Sequence, residues 1–577
     1  MMYKEKYKSW INSELINLEL KKELEQLVDE KEIEDRFYKD LDFGTGGLRG
    51  VIGAGTNRMN IHTIGKATQG LADYLNFKYK EDISVSIAYD SRNMSKEFAR
   101  AAAETLCGNG IFVNLFEELT PTPILSYAVR ELQSKAGIVI TASHNPKEYN
   151  GYKVYGDDGG QVTDEVASEI IAFAANIKDF SKVKTMEANK AKTNGMLKII
   201  GENLYLSYIE RIKNLTIRQD LVNECANDLK IIYTPIHGSG NIPVRRVLKE
   251  LGYNNVSVVA QQEMPNGNFP TAPYPNPEDP KVFALALDMA KDINPDIIFG
   301  TDPDCDRIGV LVKDKEGIYR VLTGNQTGVL LSNYILNSLS EINQLPKNGV
   351  IIKTIVTSNM VEDISKKYNI EVIDVLTGFK YIGEKIKEFE RDGEKEFIFG
   401  FEESFGYLAG NFVRDKDAVI AAMLICEMTL YYKNKGISLY DALMDIYKEY
   451  GYYEESLVSI EMKGKDGAVK ISNILEYLRV SMKDSIDNNK IIKKLDYRSS
   501  LESDLINTGE KIIKLPKSNV LKFILEDGSW FVVRPSGTEP KMKIYLSVKG
   551  NSLENTSKKI IILKENVMSI VNEACKN

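Results

Sequence analysis

The sequence predicts an α/β protein of three similar α/β units with mixed sheets, followed by a smaller α+β C-terminal domain. From residue 83 onward, short apolar runs typical of buried strands alternate with longer helical segments, and this alternation recurs three times before residue 452. Beyond residue 452 the pattern changes to charged strands and two helices. The 577 residues also exceed one core, and about 150 residues per domain indicates about four domains.

The predicted elements follow from apolar spacing along the chain. Residues 3–39 carry apolar side chains at steps of three or four, which predicts an amphipathic helix. Six prolines in residues 265–280 predict an extended surface loop. The three units have expected strands at 84–89, 111–115 and 137–141, at 229–233, 256–259 and 296–299, and at 350–355, 371–375 and 397–399, with helices at 95–109, 124–132, 243–251, 281–292, 359–367 and 416–431.

Composition narrows the function classes. The formal charge of -8 argues against general binding to nucleic acids or anionic membranes, because both require a basic surface. The five cysteines have no paired spacing, which is typical of free thiols in a reducing compartment. The N-terminus is charged and no apolar run approaches the roughly 20 residues of a spanning helix, so we expect a cytoplasmic protein.

The first chemical motif is the hexapeptide 141–146, Thr-Ala-Ser-His-Asn-Pro, which follows the apolar run 137–140. A buried strand ending in small polar residues presents a loop, where catalytic groups are often placed. Ser143 is then a candidate nucleophile or phosphoryl carrier, with His144, one of three histidines, beside it. The alternative is an ordinary Asn-Pro turn in which Ser143 caps a backbone amide.

A second motif, Gly-Thr-Asp-Pro-Asp-Cys-Asp-Arg at 300–307, directly follows a predicted strand. Its three carboxylates, Asp302, Asp304 and Asp306, alternate along the loop and provide the hard oxygen ligands that suit Mg²⁺ or Mn²⁺. A solvated acidic turn is the alternative, but a cation would relieve the repulsion among three carboxylates. An EF-hand is excluded, because Arg307 stands where that loop requires glycine.

Two further stretches carry polar groups just after predicted strands. Glu402 and Ser404, in the segment 400–407, lie on the same side of an extended loop, where they could bind sugar hydroxyls. By itself, this segment favours the alternative of a solvated glutamate pair. The segment 534–540 offers an arginine fork, two hydroxyls and an exposed glycine amide, which favours phosphate binding over a simple turn. A glycine-rich segment at 43–50 contains one arginine and is a weaker signal.

Together these stretches resemble the α-D-phosphohexomutases, the phosphoglucomutase and phosphomannomutase superfamily, over nearly the whole chain. Segments 44–50 and 234–238 are most similar to the branch that holds bacterial phosphoglucomutases and phosphopentomutases. The resemblance implies catalytic roles for Ser143, His144, Arg49 and Lys153, and metal binding by Ser143, Asp302, Asp304 and Asp306. It implies sugar binding by Gly378, Lys380, Glu402, Ser404, Arg307 and Lys416. It also implies phosphate binding by Arg534, Ser536, Gly537 and Thr538.

The same resemblance implies the domain organisation and the ligands. It predicts a phosphoserine domain at 1–205, a metal-binding domain at 206–323, a sugar-binding domain at 324–452 and a phosphate-binding domain at 453–577, arranged around a central cleft. One Mg²⁺ per chain and an activator of the glucose 1,6-bisphosphate type are expected. The expected partner is a small sugar phosphate, without nucleic acid or membrane, and the expected assembly is a monomer or a homodimer.

The implied activity is the interconversion of a hexose 1-phosphate and a hexose 6-phosphate, with glucose favoured, through a phosphoserine and a sugar bisphosphate. A phosphopentomutase, a phosphomannomutase, a Mg²⁺-dependent phosphatase and a non-catalytic sugar-phosphate sensor remain alternatives. This chain has Gly406 where some relatives carry a histidine. Proton transfer then points to Lys153 or Lys416, with a pKa that positive neighbours would lower.

Overall fold

The computed structural model describes residues 2–44, 46–462, 464–482, 484–536 and 541–575. The chain divides into two compact units. The first unit contains Met1–Gly324 and Phe379–Leu439, and the second contains Asn325–Gly378 and Tyr440–Asn577. Among the helices of the described residues, none is long and apolar enough to cross a membrane.

The helices of the described residues are α1 (Met2–Asn12), α2 (Leu18–Glu25), α3 (Glu30–Phe37), α4 (Ile61–Lys78), α5 (Ser95–Gly108), α6 (Thr122–Glu131), α7 (Asp164–Ala175), α8 (Ala188–Thr193), α9 (Glu202–Lys213), α10 (Gln219–Cys225), α11 (Asn241–Glu250), α12 (Ala260–Glu263), α13 (Ala284–Ile293), α14 (Gly324–Glu341), α15 (Met360–Lys367), α16 (Lys380–Asp392), α17 (Ala418–Asn434), α18 (Leu439–Tyr450), α19 (Gly464–Val480) and α20 (Leu553–Ala574).

The strands of the described residues are β1 (Phe43–Gly44), β2 (Gly47–Val51), β3 (Ser84–Tyr89), β4 (Phe112–Phe116), β5 (Ala136–Ile140), β6 (Tyr149–Tyr155), β7 (Leu197–Ile200), β8 (Ile231–Thr234), β9 (Val256–Val258), β10 (Ile297–Thr301), β11 (Ile308–Lys313), β12 (Tyr319–Val321), β13 (Gly349–Thr354), β14 (Glu371–Val375), β15 (Glu396–Glu402), β16 (Gly406–Ala409), β17 (Tyr452–Glu461), β18 (Ser485–Ile486), β19 (Asn489–Asp496), β20 (Leu501–Asp504), β21 (Gly509–Ile512), β22 (Leu521–Leu525), β23 (Trp530–Pro535) and β24 (Lys541–Gly550).

The N-terminal segment is helical, as predicted for residues 3–39, but it forms three helices and not one continuous helix. Asn17 interrupts the helical pattern and caps α2, and its side chain accepts a 3.2 Å hydrogen bond from the amide of Leu20. Asp29 caps α3 in the same way. Asn and Asp favour caps over helix interiors because their short side chains bond nearby backbone amides. The apolar spacing still predicted burial correctly, since Leu24 and Phe37 pack into one cluster.

The first sheet of the first unit has the strand order β1-β2-β6-β5-β3-β4-β7. β3 pairs in parallel with both β4 and β5, whereas β6 is antiparallel to β5 and to β2. The five residues of β5 are all buried, as expected for a strand covered on both faces. Because β3 and β5 are parallel neighbours, the turns that follow them lie at the same sheet edge.

The second sheet of this unit has the order β12-β11-β10-β8-β9. β8 is parallel to β9 and β10, and β10 is antiparallel to β11. All five residues of β10 are buried, and the acidic loop begins at the next residue, Asp302. The unit also contains the antiparallel pair β15 and β16, followed by the almost fully buried helix α17.

The second unit combines the parallel pair β13 and β14 with an antiparallel sheet in the order β17-β24-β23-β22-β19-β20-β21. Helices α19 and α20 contribute to one core with this sheet, through residues such as Leu475 and Val567. The predicted fold class is confirmed: mixed-sheet α/β units precede a smaller α+β C-terminal domain.

Candidate functional site

Ser143 lies in the loop after β5 and is 3% exposed. Its hydroxyl donates a 2.6 Å hydrogen bond to Asp302 Oδ2 and lies 3.1 Å from His144 Nδ1. Its amide donates to Thr141 Oγ1 at 2.8 Å. The backbone φ of +50° is left-handed, a conformation that non-glycine residues adopt mostly where surrounding structure enforces it. The local geometry therefore aims the Ser143 side chain at the acidic loop.

The guanidinium of Arg92 holds this loop in place. It donates to the carbonyls of Ser143 and Asn145, and to those of Pro146 and Tyr149 at 2.9 and 3.1 Å. Sequence reasoning missed Arg92. The sequence feature that could have identified Arg92 is its position shortly after β3, because β3 is the parallel neighbour of β5, the strand that precedes Ser143.

The turn that carries Arg92 is joined to the serine loop by a second buried group, Asp90. Its carboxylate accepts from Thr141 Oγ1 at 2.6 Å and from the amide of Arg92 at 2.9 Å. Burial raises the pKa of Asp90, and the charge of Arg92 and these hydrogen bonds oppose that rise. Two adjacent turns of the sheet edge thus form one rigid support for Ser143.

The acidic loop converges on a point beside Ser143. One oxygen from each of Asp302, Asp304 and Asp306 lies within 4.8 Å of the other two, and all three side chains are buried. Asp302 Oδ1 accepts the amides of Asp306 and Arg307 at 3.1 and 3.0 Å. Asp304 Oδ1 and Asp306 Oδ1 are buried without a hydrogen-bond partner. Buried carboxylate oxygens require a partner, and this donor set fits a hard divalent cation.

The electrostatics of the triad agree with that interpretation. Burial, together with the charges of Asp304 and Asp306, raises the pKa of Asp302 well above its usual range. Burial also disfavours the charged form of Asp304, but Lys153, the hydrogen bond with Asp302 and the charge of Lys416 together outweigh burial, and the pKa of Asp304 is lowered. One carboxylate thus resists ionisation while its neighbour is stabilised as an anion, an imbalance that a bound cation would relieve.

Lys153 and Lys416 flank the triad from opposite parts of the sequence. Lys153 Nζ lies 2.9 Å from Asp304 Oδ2, and Lys416 Nζ lies 3.1 Å from Asp306 Oδ2. Burial lowers both pKa values, but the carboxylates outweigh burial and raise them overall. The expectation that positive neighbours lower these pKa values is wrong. Both lysines are cations in this arrangement.

Two residues missed by sequence reasoning complete the support of the acidic loop. Thr122 donates its hydroxyl to Asp304 Oδ2 at 3.0 Å and its amide to the Asp304 carbonyl at 2.9 Å. Glu278 accepts a 2.9 Å ion-pair contact from Arg307. Each acts as a single residue: Thr122 begins a helix and Glu278 lies in the proline-rich stretch 265–280, and neither belongs to a motif that indicates its contact.

His144 and Arg49 lie on the Ser143 side of the site. Burial, followed by the charges of Arg307 and Arg49, lowers the pKa of His144 well below its usual range, so its imidazole is neutral at pH 7. Arg49 is exposed on β2, and its Nη1 donates to Asn145 Oδ1 at 3.4 Å. A neutral ring and an exposed guanidinium therefore border the serine loop.

The loop after β15 contacts the end of the acidic loop through a backbone hydrogen bond. The amide of Ile308 donates to the carbonyl of Phe405 at 3.1 Å, which places Glu402 near Arg307 and Lys416. The Glu402 charge contributes to the raised pKa of both cations, after burial and nearer carboxylates. Ser404, two residues after Glu402, is half-buried.

Gly406 leaves the space that Lys416 occupies. A Cβ at residue 406 would lie 2.2 Å from Lys416 Cδ and 3.1 Å from Glu402 Oε1. Carbon atoms cannot approach this closely, so a side chain at 406 and the observed Lys416 are mutually exclusive. The volume beside Gly406 is therefore occupied by Lys416.

The other predicted residues are described within their own units. Lys380 Nζ forms a 2.7 Å ion pair with Asp164 at the start of α7, and the lysine side chain is 8% exposed. Gly378, with φ of +118°, belongs to the second unit. Arg534 and Ser536 also lie there, at the end of β23, while Gly537 and Thr538 lie outside the described residues.

Four domain families match the chain in order. They are the phosphoglucomutase/phosphomannomutase α/β/α domains I, II and III at residues 40–180, 206–317 and 323–450, and the phosphoglucomutase/phosphomannomutase C-terminal domain at residues 477–556.

Relatives and solved structures resemble the chain over most of its length. A phosphoglucomutase of Staphylococcus haemolyticus is 38% identical over 528 residues, 91% of this chain and 94% of the relative. One of Staphylococcus saprophyticus is 36% identical over 545 residues, 94% of this chain and 97% of the relative. A crystal structure of a phosphoglucomutase/phosphomannomutase family protein of Burkholderia thailandensis has a TM-score of 0.66 and 17% identity, covering 92% of this chain and 97% of that one, which shows a shared fold.

Proposed function

The chain belongs to the phosphoglucomutase/phosphomannomutase family and is a phosphosugar mutase, an isomerase, and from this premise we propose that Ser143 carries the phosphoryl group between the two ends of a hexose. The 2.6 Å hydrogen bond between Ser143 Oγ and Asp302 of the buried triad supports this assignment. It joins a nucleophile to a cation site, the pairing that phosphoryl transfer requires.

The proposed substrates are glucose 1-phosphate and glucose 6-phosphate, with glucose 1,6-bisphosphate as intermediate and activator. The support is the name phosphoglucomutase on relatives that are 36 to 38% identical over most of both chains. A sugar phosphate is a small anion, and Lys153, Lys416 and Arg307 provide positive charge beside the triad in a chain whose net charge is -8.

The proposed cofactor is one Mg²⁺ held by Asp302, Asp304 and Asp306, with an oxygen on Ser143 as a further ligand. The unpartnered oxygens of Asp304 and Asp306 support this fit. When bound, the cation neutralises negative charge that develops on the transferring phosphoryl group.

The protein's own groups then have distinct tasks in the proposed reaction. The bond between phosphorus and Ser143 Oγ breaks as a bond forms between phosphorus and a sugar hydroxyl oxygen. The sugar hydroxyl loses one proton and Ser143 regains one, so the step balances. Lys153 and Lys416, both cationic, stabilise the charged phosphoryl oxygens, and the neutral ring of His144, with Nδ1 3.1 Å from Ser143 Oγ, borders the restored hydroxyl.

The second half of the proposed cycle uses the bisphosphate in the reverse orientation, so that its other phosphate returns to Ser143. We assign the sugar hydroxyls to Glu402 and Ser404, and the distal phosphate to the segment 534–538. The division of the chain at residues 205, 323 and 452 is part of this proposal. It is supported by the first two sheets, whose strands fall within residues 43–200 and 231–321.

We also propose a cytoplasmic location, because the five cysteines form no disulfide. The assembly is proposed to be a monomer or a homodimer, which sedimentation of the purified protein would decide.

A substrate panel tests the proposal. Wild-type enzyme with Mg²⁺ and glucose 1,6-bisphosphate is given the 1-phosphates of glucose, mannose, glucosamine, ribose and deoxyribose. The highest kcat/KM is expected for glucose 1-phosphate, and a pentose or mannose preference would overturn the substrate assignment. Inorganic phosphate as the main product would indicate a phosphatase. An enzyme without turnover, and without phosphate mass on the Ser143 peptide, would indicate a sensor.

A further inference from the structure

His237 lies in a strained turn outside the residues assigned above. It follows β8, is 2% exposed, and has a φ of +58°, while the preceding Ile236 has a φ of +45°. Two successive left-handed residues, one of them β-branched, are rare and energetically costly. Such strain persists only where surrounding contacts enforce it.

The contacts of the His237 ring run to one segment, residues 264–278, which we name the brace segment. The ring Nδ1 donates to the carbonyl of Met264 at 3.1 Å, and Nε2 lies 2.9 Å from Thr271 Oγ1. The backbone carbonyl of His237 accepts the amide of Asn266 at 3.2 Å. Burial lowers the pKa of His237, against the effect of the Met264 bond, so the ring is neutral and Nε2 accepts from Thr271.

The brace segment coincides with the proline-rich stretch for which the sequence predicted a surface loop. That prediction is wrong for part of its length, because Phe269 and Ala272 are buried. Phe269 is itself left-handed, with φ of +45°, and its ring centroid lies 6.5 Å from that of His237. The segment thus lies at the surface but packs part of its length inward.

The inward side of the brace segment touches three residues of the site. The Phe269 ring lies 5.0 Å from the guanidinium of Arg92, within the range of a cation–π contact. The Tyr274 ring packs edge-on against His144 at 6.2 Å. Farther along, Glu278 forms the ion pair with Arg307.

The backbone of the brace segment also lies close to the turn that carries Arg92. A Cβ on Gly267 would lie 2.4 Å from the amide nitrogen of Asn93, so only glycine fits at that point. Asn93 Nδ2 also donates to Asn268 Oδ1 at 3.1 Å. A shift of the brace segment would therefore displace the Arg92 turn, whose guanidinium holds four carbonyls of the Ser143 loop.

The turn that carries His237 also contacts the acidic loop. Ser239 donates its amide and its hydroxyl to the carbonyl of Pro303, at 2.8 and 2.9 Å. Gly238 packs closely against Pro303, and a Cβ added to Gly238 would lie 2.6 Å from Pro303 Cα. The same turn thus borders the metal-binding loop on one side and the brace segment on the other.

We propose that His237 is a positioning residue for phosphoryl transfer: it fixes the brace segment, which holds Arg92, His144 and Arg307 around Ser143. This inference rests on the proposed function for its kinetic consequence, although the mechanical coupling can be measured without activity. Outer residues that orient catalytic groups typically affect rates 10- to 100-fold when removed.

The variants separate the ring contacts from the backbone. His237→Ala removes both ring bonds. His237→Asn keeps an N–H donor near Nδ1 and tolerates the left-handed backbone. Thr271→Val removes only the hydroxyl bond, and Phe269→Leu removes the ring over Arg92 while remaining apolar. His62→Gln is the matched control, because His62 packs against Trp10 and Phe180 in the N-terminal cluster.

The first measurement is amide hydrogen exchange of the intact enzyme. In His237→Ala, peptides covering 264–271 and 143–149 are expected to exchange at least about tenfold faster, because opening of the brace segment releases Arg92. Exchange of 143–149 at the wild-type rate, with faster exchange at 264–271 alone, would overturn the coupling. This result does not depend on any substrate.

The second measurement is steady-state kinetics with glucose 1-phosphate. We expect kcat to fall about 10- to 100-fold in His237→Ala and Phe269→Leu, and several-fold in Thr271→Val, with KM changing less than kcat. His237→Asn is expected to recover most of kcat, and His62→Gln to retain it. If His237→Ala does not fold, both measurements are made on Thr271→Val and Phe269→Leu instead.

The two proposals fail differently. Wild-type enzyme without mutase activity would overturn the proposed function, while the exchange data would still decide the coupling. Wild-type activity with unchanged kcat in His237→Ala and Phe269→Leu would overturn the positioning role and leave the proposed function intact.

Discussion

Ser143 Oγ and Asp302 Oδ2 lie 2.6 Å apart although 159 residues separate them in the chain. Ser143 comes from the loop after β5 of the first sheet, and Asp302 comes from the loop after β10 of the second. Both loops leave the ends of fully buried strands, which gives the contact a rigid base on each side. The proposed phosphoryl carrier and the proposed cation site are therefore held at a fixed distance.

Replacing Ser143 with alanine should lower mutase activity at least about 1000-fold, because the proposed phosphoryl carrier is lost. The fold should survive, since the loop is held by Arg92 and by backbone groups that alanine retains. Activity is measured with glucose 1-phosphate, and the phosphate mass on the Ser143 peptide is measured in parallel. Substantial turnover by a folded Ser143→Ala enzyme would refute the phosphoserine mechanism.

Adding Mg²⁺ should stabilise the wild-type protein, by about 2.7 kcal/mol when free Mg²⁺ is 100 times Kd. Asp304→Asn should abolish this gain, because it removes an unpartnered oxygen and weakens the contact with Lys153. Asp314→Asn is the control, since that buried carboxylate pairs with Arg320 outside the triad. The measurement is Tm against Mg²⁺ concentration, and an undiminished Mg²⁺ response in Asp304→Asn would contradict the metal assignment.

Gly406→Ala should lower kcat about 10- to 100-fold and should also lower Tm. The new Cβ would meet Lys416 at Cγ and Cδ, so the lysine must move and lose its 3.1 Å contact with the buried Asp306. Gly201→Ala is the control, because a Cβ added there would have nothing within 4 Å and the φ of Gly201 is unexceptional. Equal kcat values for Gly406→Ala and wild type would show that Lys416 does not act in the reaction.

Acid should weaken the second unit through Asp363, which accepts hydrogen bonds from Lys549 at 2.7 Å, Tyr453 at 2.8 Å and Lys366 at 2.9 Å. Burial opposes its charge, but these donors outweigh it and lower the pKa of Asp363 to about 2. Because an unfolded aspartate has a pKa near 3.9, this stabilisation is complete above about pH 4 and is lost as pH falls toward 2.

Asp363→Asn measures that contribution. Allowing for screening at the partly exposed lysines, the variant should be less stable by about 1 to 2 kcal/mol at pH 6. The difference in Tm between variant and wild type should shrink as pH is lowered from 4 to 2.5. A pH-independent difference would mean that Asp363 stabilises the unit by packing and not by charge.

Sequence pattern predicted the parallel strands well because buried strands are short, continuous apolar runs. The predicted strands 84–89 and 371–375 have the bounds of β3 and β14. The antiparallel strands of the first two sheets were not predicted. β6, for example, begins Tyr-Asn-Gly, and its polar and glycine residues conceal a strand that is nevertheless buried.

The residues of the candidate site likewise divide into those that the sequence predicted and those that it did not. Ser143 and the Asp triad were identified because each belongs to a compact motif whose residue types indicate chemistry. Arg92 and Glu278 were missed because each acts alone, through contacts that only the folded chain creates. Lysine pKa values were also predicted in the wrong direction, since the number of nearby carboxylates is a property of the three-dimensional arrangement.

The four carbonyl contacts of Arg92 have a consequence for the catalytic cycle. They bind the backbone of the Ser143 loop and leave its hydroxyl available for the phosphoryl group. Turnover would be slower if the Ser143 loop had to rearrange each time Ser143 gained or lost its phosphoryl group. Here the loaded and unloaded forms can share one backbone, so reorganisation adds little to the barrier in either direction.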